Sequence, residues 1–147
     1  MELNILRADP AGNITVFVLD PVEKAQRAAI AEKIMAIPAL KAEQVGYACA
    51  AEDDVDGHME MMGGEFCGNA TRAYGMYIAQ QKGGLSAVKL RVSGCDHAVT
   101  AQVDLKSGTA RAEMPCPRSV KRVTVNGHEG TLVDLTGIAH FVVEGVE

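Results

Sequence analysis

Residues 70 to 82 are the stretch that most restricts how this chain can fold. The segment Ala70-Thr71-Arg72-Ala73-Tyr74-Gly75-Met76-Tyr77-Ile78-Ala79-Gln80-Gln81-Lys82 lacks proline and spreads small or apolar side chains around nearly its whole circumference. A helix of that pattern is a buried one. Its charge is confined to Arg72 and Lys82, and Gly83-Gly84 supplies a glycine stop. The rest of the chain therefore has to wrap around it, with its N-terminus pointing into a cleft.

Immediately before this helix, Met62-Gly63-Gly64-Glu65-Phe66-Cys67-Gly68-Asn69 places a cysteine among glycines. The first backbone N–H groups of a helix have no partner within it, so those of Gly68, Asn69 and Ala70 fall at an open, electropositive end. A thiol held there ionises more readily than a free one, and a carboxylate can share the same donors. Most cysteines are inert packing. Gly63, Gly64 and Gly68, however, let the backbone approach a ligand closely, which a packed cysteine does not require. Cys67 is thus a candidate nucleophile or base.

The 147 residues suffice for one domain with its own core, residues 1–147, and are too few for two ordinary ones. No apolar run is long enough to span a membrane, and a net charge of −5 without a basic stripe argues against a nucleic-acid partner. Met1 to Asp9 lacks the basic start and apolar run of a signal peptide, so a cytoplasmic location is expected. On that expectation Cys49, Cys67, Cys95 and Cys116 read as reduced thiols. No CxxC or spaced histidine pair supports a metal among Cys49, Cys67, Cys95, His58 and His97, and no metal is expected. A P-loop is absent as well.

Along the chain, alternation around Leu3 and Ile5, the turn Ala8 to Asn13 and the apolar run Ile14 to Leu19 read as strand, turn and strand. Asn13 sits at the tip of that turn. Asp20-Pro21-Val22-Glu23 reads as a capped helix start, with Asp20 as cap and Glu23 closing a capping box, for a helix running to about Ala36. Lys41 to Ala51 is a loop feeding a strand, and Glu52 to Gly57 a solvated acidic turn without EF-hand spacing. Val88, Leu90 and Val92 mark a half-buried strand. From residue 86 onward short strands follow without a helix, which predicts an antiparallel meander curling around the central helix.

Cys67-Gly68-Asn69-Ala70-Thr71-Arg72 resembles the CGNGAR motif of the diaminopimelate epimerase superfamily of cofactor-independent amino-acid racemases and epimerases. Pro10-Ala11-Gly12-Asn13 resembles the family's N-terminal Gly-Asn loop, Glu43-Gln44 its Asp-Gln pair, Val88 to Gly94 the strand after its central helix, and Gly137-Ile138-Ala139-His140 its GNPH segment. A narrower resemblance, through Ala11-Gly12-Asn13, Glu43-Gln44-Val45-Gly46, Glu65 to Thr71 and Val92-Ser93-Gly94-Cys95, is to the histidine racemases that serve staphylopine-type metallophore synthesis. The family has two similar halves, each with one catalytic cysteine, and this chain resembles the first.

The resemblance implies an α+β domain with an antiparallel or mixed sheet curled around a central buried helix, and an isomerase that needs no pyridoxal phosphate or other cofactor. It implies that Cys67 is one of two thiol acid/base groups, that Gly68 and Asn69 hold the substrate carboxylate, and that Asn13 and Gln44 orient the amino acid. The second cysteine would come from a missing C-terminal domain or from a homodimer partner. Diaminopimelate epimerase activity is an alternative, weakened because Ile138 replaces the asparagine of GNPH, Ala70 replaces a glycine, and a substrate-binding asparagine upstream of the cysteine has no counterpart. A catalytically incomplete amino-acid-binding module is another. A cysteine hydrolase with His58, His97 or His140 as base is a third, though no spacing places these beside Cys67.

Overall fold

The computed structural model describes residues 2–145. Its elements run β1 (Ile5–Ala8), β2 (Thr15–Val18), α1 (Lys24–Met35), β3 (Gln44–Cys49), β4 (Gly57–Met61), α2 (Gly68–Gln81), β5 (Ala87–Val92), β6 (Val99–Asp104), β7 (Thr109–Ala112), β8 (Ser119–Val125), β9 (His128–Leu135) and β10 (Ile138–Val142). Strands β1 to β7 lie in chain order in one mixed sheet, and β8 to β10 form a second. The pairs β2–β3 and β4–β5 are parallel because α1 and α2 cross over between their members, whereas the neighbours joined by turns are antiparallel.

The two helices lie on opposite faces of the larger sheet. Val16, Val18, Val45 and Tyr47 pack under Ile30, Ala31 and Ile34 of α1. Phe17 points the other way, into the core built on α2 with Met59, Tyr74, Val88, Leu90, Val99 and Ala101. Strand β2 is consequently buried on both faces, which is why it reads as an unbroken apolar run. Gly75 brings α2 close to β6, since a Cβ there would lie 2.6 Å from that of Ala101.

The central helix starts two residues before its expected limit, at Gly68, because Cys67 itself caps it. It ends as the glycines dictate: Gly83 and Gly84 take φ of 80° and 94°, and the Gly84 N–H bonds back to Ala79 O at 2.8 Å. Enclosure is less complete than the sequence suggests. Ala70, Thr71, Tyr74, Gly75 and Ala79 are buried, while Ala73, Met76 and Tyr77 line a groove that also touches Leu6 and Ala8 of β1 and Ala110 of β7.

Two further expectations are corrected and one strand is added. Helix α1 begins at Lys24, and its N-cap Glu23 makes no side-chain cap. Asp20 instead accepts from the backbone N–H of Asn4 at 2.5 Å and from its Nδ2 at 3.1 Å, two donors that outcompete a helix end three residues away. Strand β4 carries no sequence signal, because its inward positions are Gly57, Met59 and Met61, and none is a strong strand former. The late meander divides after β7, where Pro115 and Pro117 interrupt the ladder, so only β5 to β7 join the sheet around α2.

Candidate functional site

The loop that carries Cys67 is fixed from several sides. Phe66 is buried, Ser93 Oγ donates to Glu65 O at 2.6 Å, and the Met61 N–H donates to Ser93 Oγ at 2.8 Å. Behind Cys67, the fully buried Thr71 donates from both Oγ1 (2.8 Å) and its N–H (2.9 Å) to Cys67 O. The thiol is thereby aimed while its backbone is held.

Cys67 Sγ accepts from the Ala70 N–H at 3.4 Å and from Gln44 Nε2 at 3.2 Å. Gln44 Nε2 also lies 2.8 Å from both Asn13 Oδ1 and Thr15 Oγ1, so two hydrogens serve three acceptors. Asn13 Oδ1 further accepts from Asn69 Nδ2 at 3.3 Å, and Asn13 Nδ2 donates to Glu43 Oε2 at 3.1 Å. Arg72 donates to Asn69 Oδ1 at 2.5 Å. Helix geometry leaves the N–H groups of Gly68 and Asn69 without an acceptor in the preceding turn.

Asn13, Gln44, Cys67, Gly68 and Asn69, the candidates from sequence, all line one cavity of about 690 Å³. Register explains part of this: Gln44 opens β3 directly beside Thr15 of β2, which follows the Asn13 turn. The same wall contains Glu65, Arg72, Met114 and Ile138, which the sequence did not single out as site residues, and His140. The chemistry available is a thiol under two N–H donors, carboxylate-binding donors next to it, and amides that can orient a polar ligand.

The remaining cysteines are elsewhere, and all four are free. Burial pushes the thiols of Cys49 and Cys95 up from the ordinary value. Cys49 pairs across strands with His58, and the two meet Glu60, a juxtaposition that no sequence spacing reveals. Arg27 donates to both Glu60 and Cys49, and Lys24 lies 3.5 Å from Glu60, so cations of the chain already occupy this cluster. His97 bonds to Asp96, which holds its imidazole pKa above the usual value. Of the histidines named from sequence, His140 shares the cavity of Cys67, a placement that no sequence spacing indicates.

Fold and site together define an α+β domain that presents a helix-capping cysteine to an open cavity. The chain belongs to the histidine racemase CntK N-terminal domain family, which matches it over residues 2–147. It is 32% identical over 149 residues to a histidine racemase of Fusobacterium nucleatum, an alignment covering 95% of this chain and 54% of that protein. A histidine racemase of Staphylococcus aureus is 33% identical over 122 residues, 80% of this chain and 44% of that protein. The chain thus spans about half the length of the curated relatives it matches.

Proposed function

We propose that this chain is the N-terminal half of a two-domain amino-acid racemase of diaminopimelate-epimerase-like fold, that histidine is its substrate, and that Cys67 is one of two acid/base thiols. The observation that carries this reading is the convergence of Gln44 Nε2 and the Ala70 N–H on Cys67 Sγ at the start of α2, within the cavity.

Racemisation without an electron-accepting cofactor requires the site to stabilise the enediolate left when the α-proton departs. Gly68 and Asn69 offer backbone N–H groups where that carboxylate would lie, in the positive end of the helix dipole. The thiolate of Cys67 takes the α-proton and becomes a thiol, the C–H electron pair moves into the carboxylate, and a thiol on the opposite face returns a proton to the α-carbon. Asn13 and Gln44 orient the amino acid. Among the described residues Cys67 is the sole cysteine in the cavity wall, so the opposing thiol comes from outside it, and the half-length match to the relatives favours a C-terminal half over a second copy. The reading assigns the reaction no pyridoxal phosphate or metal.

The test is to incubate the natural full-length polypeptide with L-histidine in deuterated water. Loss of the α-proton signal together with appearance of D-histidine is the expected result. A polypeptide that binds histidine without exchange is a binding module, which would contradict the racemase reading.

A further inference from the structure

Gln44 is able to meet Cys67 with either end of its amide, since Nε2 lies 3.2 Å from Sγ and Oε1 lies 3.5 Å from it. The two ends have opposite consequences. A donated N–H favours the thiolate, whereas a carbonyl oxygen accepts from the thiol and favours the protonated form. The ends of an amide are nearly the same in shape, so packing does not choose between them. The choice falls to the hydrogen bonds around the amide.

Those bonds form a relay with a charge at each end. Arg72 donates to Asn69 Oδ1 at 2.5 Å, Asn69 Nδ2 donates to Asn13 Oδ1 at 3.3 Å, and Asn13 Nδ2 donates to Glu43 Oε2 at 3.1 Å. A guanidinium only donates and a carboxylate only accepts, so the ends admit one direction for every amide between them. Asn69 turns its oxygen to Arg72, Asn13 turns its nitrogen to Glu43, and the Asn13 oxygen left facing the site requires donors. Gln44 answers with Nε2 at 2.8 Å, and the same nitrogen is thereby brought onto Cys67 Sγ. Thr15 Oγ1, also 2.8 Å from Nε2, does not decide the matter, because a hydroxyl fits either end of an amide. Resting on the racemase reading, which requires a thiolate at Cys67, we infer that Arg72 and Glu43 are positioning residues. Their opposite charges fix the direction of the relay and so present a donor, not an acceptor, to the sulfur.

The test reads alkylation of Cys67 by iodoacetamide in the substrate-free full-length polypeptide, followed by mass spectrometry of the Cys67 peptide, beside KM and kcat for histidine α-proton exchange. Arg72→Gln leaves a group that offers Asn69 either end. Alkylation is expected to fall about tenfold, the loss of one hydrogen bond to a charged group, and kcat to fall with it. Arg72→Lys, still a pure donor, should retain most of the rate. Glu43→Gln, at the exposed end, should slow alkylation about threefold, the scale of one weakened neutral hydrogen bond. The sign of this last effect separates the relay from a field through space, since removing a negative charge near a thiol by itself favours the thiolate and speeds alkylation. Faster or unchanged alkylation in Glu43→Gln overturns the inference, and that variant decides the matter if Arg72→Gln does not fold. A raised histidine KM with unchanged alkylation in Arg72→Gln would make Arg72 a direct substrate contact and overturns it as well, while the racemase reading stands. If the unaltered polypeptide fails to exchange the histidine α-proton, the racemase reading falls, and the alkylation rates still decide the relay.

Discussion

Gln44 Nε2 lies 3.2 Å from Cys67 Sγ across 23 positions of sequence, and the same nitrogen lies 2.8 Å from Asn13 Oδ1. One amide therefore ties the turn before β2, the start of β3 and the cap of α2 to a single sulfur. Replacing Gln44 with alanine removes a donor to the thiolate form and releases Asn13. The expected result is a fall in kcat/KM for histidine exchange of at least about tenfold, one hydrogen bond to a charged group, with the fold retained. Steady-state exchange kinetics alongside circular dichroism provide the check.

Gly94 has φ of 76°, and a Cβ there would lie 2.3 Å from the backbone nitrogen of Phe66. Backbone cannot move aside as the end of a flexible side chain can. Gly94→Ala combines this clash with strain at positive φ and should lower stability by at least about 2 kcal/mol, shifting the Cys67 loop as well. Urea unfolding gives the stability, and the rate of Cys67 alkylation reports the loop.

At Gly75 two effects compete. Alanine favours a helix interior over glycine by about 1 kcal/mol. The new Cβ would, however, lie 2.6 Å from Ala101 Cβ between α2 and β6, and overpacking costs about 1–3 kcal/mol. Gly75→Ala is therefore expected to destabilise, and Ala101→Gly in the same chain should restore much of the loss. A double-mutant cycle from denaturant unfolding measures that coupling.

Asp56 accepts from the Lys89 N–H at 2.8 Å and from Lys82 Nζ at 3.2 Å. The backbone bond to Lys89, aided by Lys82, holds its carboxyl below the usual value. With the folded pKa depressed, the unfolded chain binds the proton more readily, so the contribution is present above the unfolded value of about 4 and is lost as pH falls through the folded one. Melting temperatures measured down through that window should decline less steeply for Asp56→Asn than for the unaltered protein.

The sequence made the central helix, its glycine stop and the cysteine at its start legible because each rests on local chemistry. The structure also gathers Asn13 and Gln44 at Cys67, a proximity anticipated from family motifs rather than from spacing. What stayed hidden is non-local. Glu65 reads as one more charge in a glycine-rich turn until Gly94 and Gly137, both distant in sequence, are seen to close on it. Cys49, His58 and Glu60 meet through strand pairing, which motif searches do not see. Asp20 looked like a helix cap because its neighbours Pro21 and Glu23 fit one, and the competing donors on Asn4 belong to another segment.

The central claim is that Cys67 moves the α-proton. Its most direct test is deuterium incorporation at the α-carbon of L-histidine by the full-length polypeptide, compared with the same polypeptide carrying Cys67→Ser. The hydroxyl keeps the capping geometry but is a far weaker acid than the thiol, so exchange is expected to fall by about a hundredfold or more, the scale of a lost acid/base group, with thermal stability little changed. Undiminished exchange in Cys67→Ser would contradict the account.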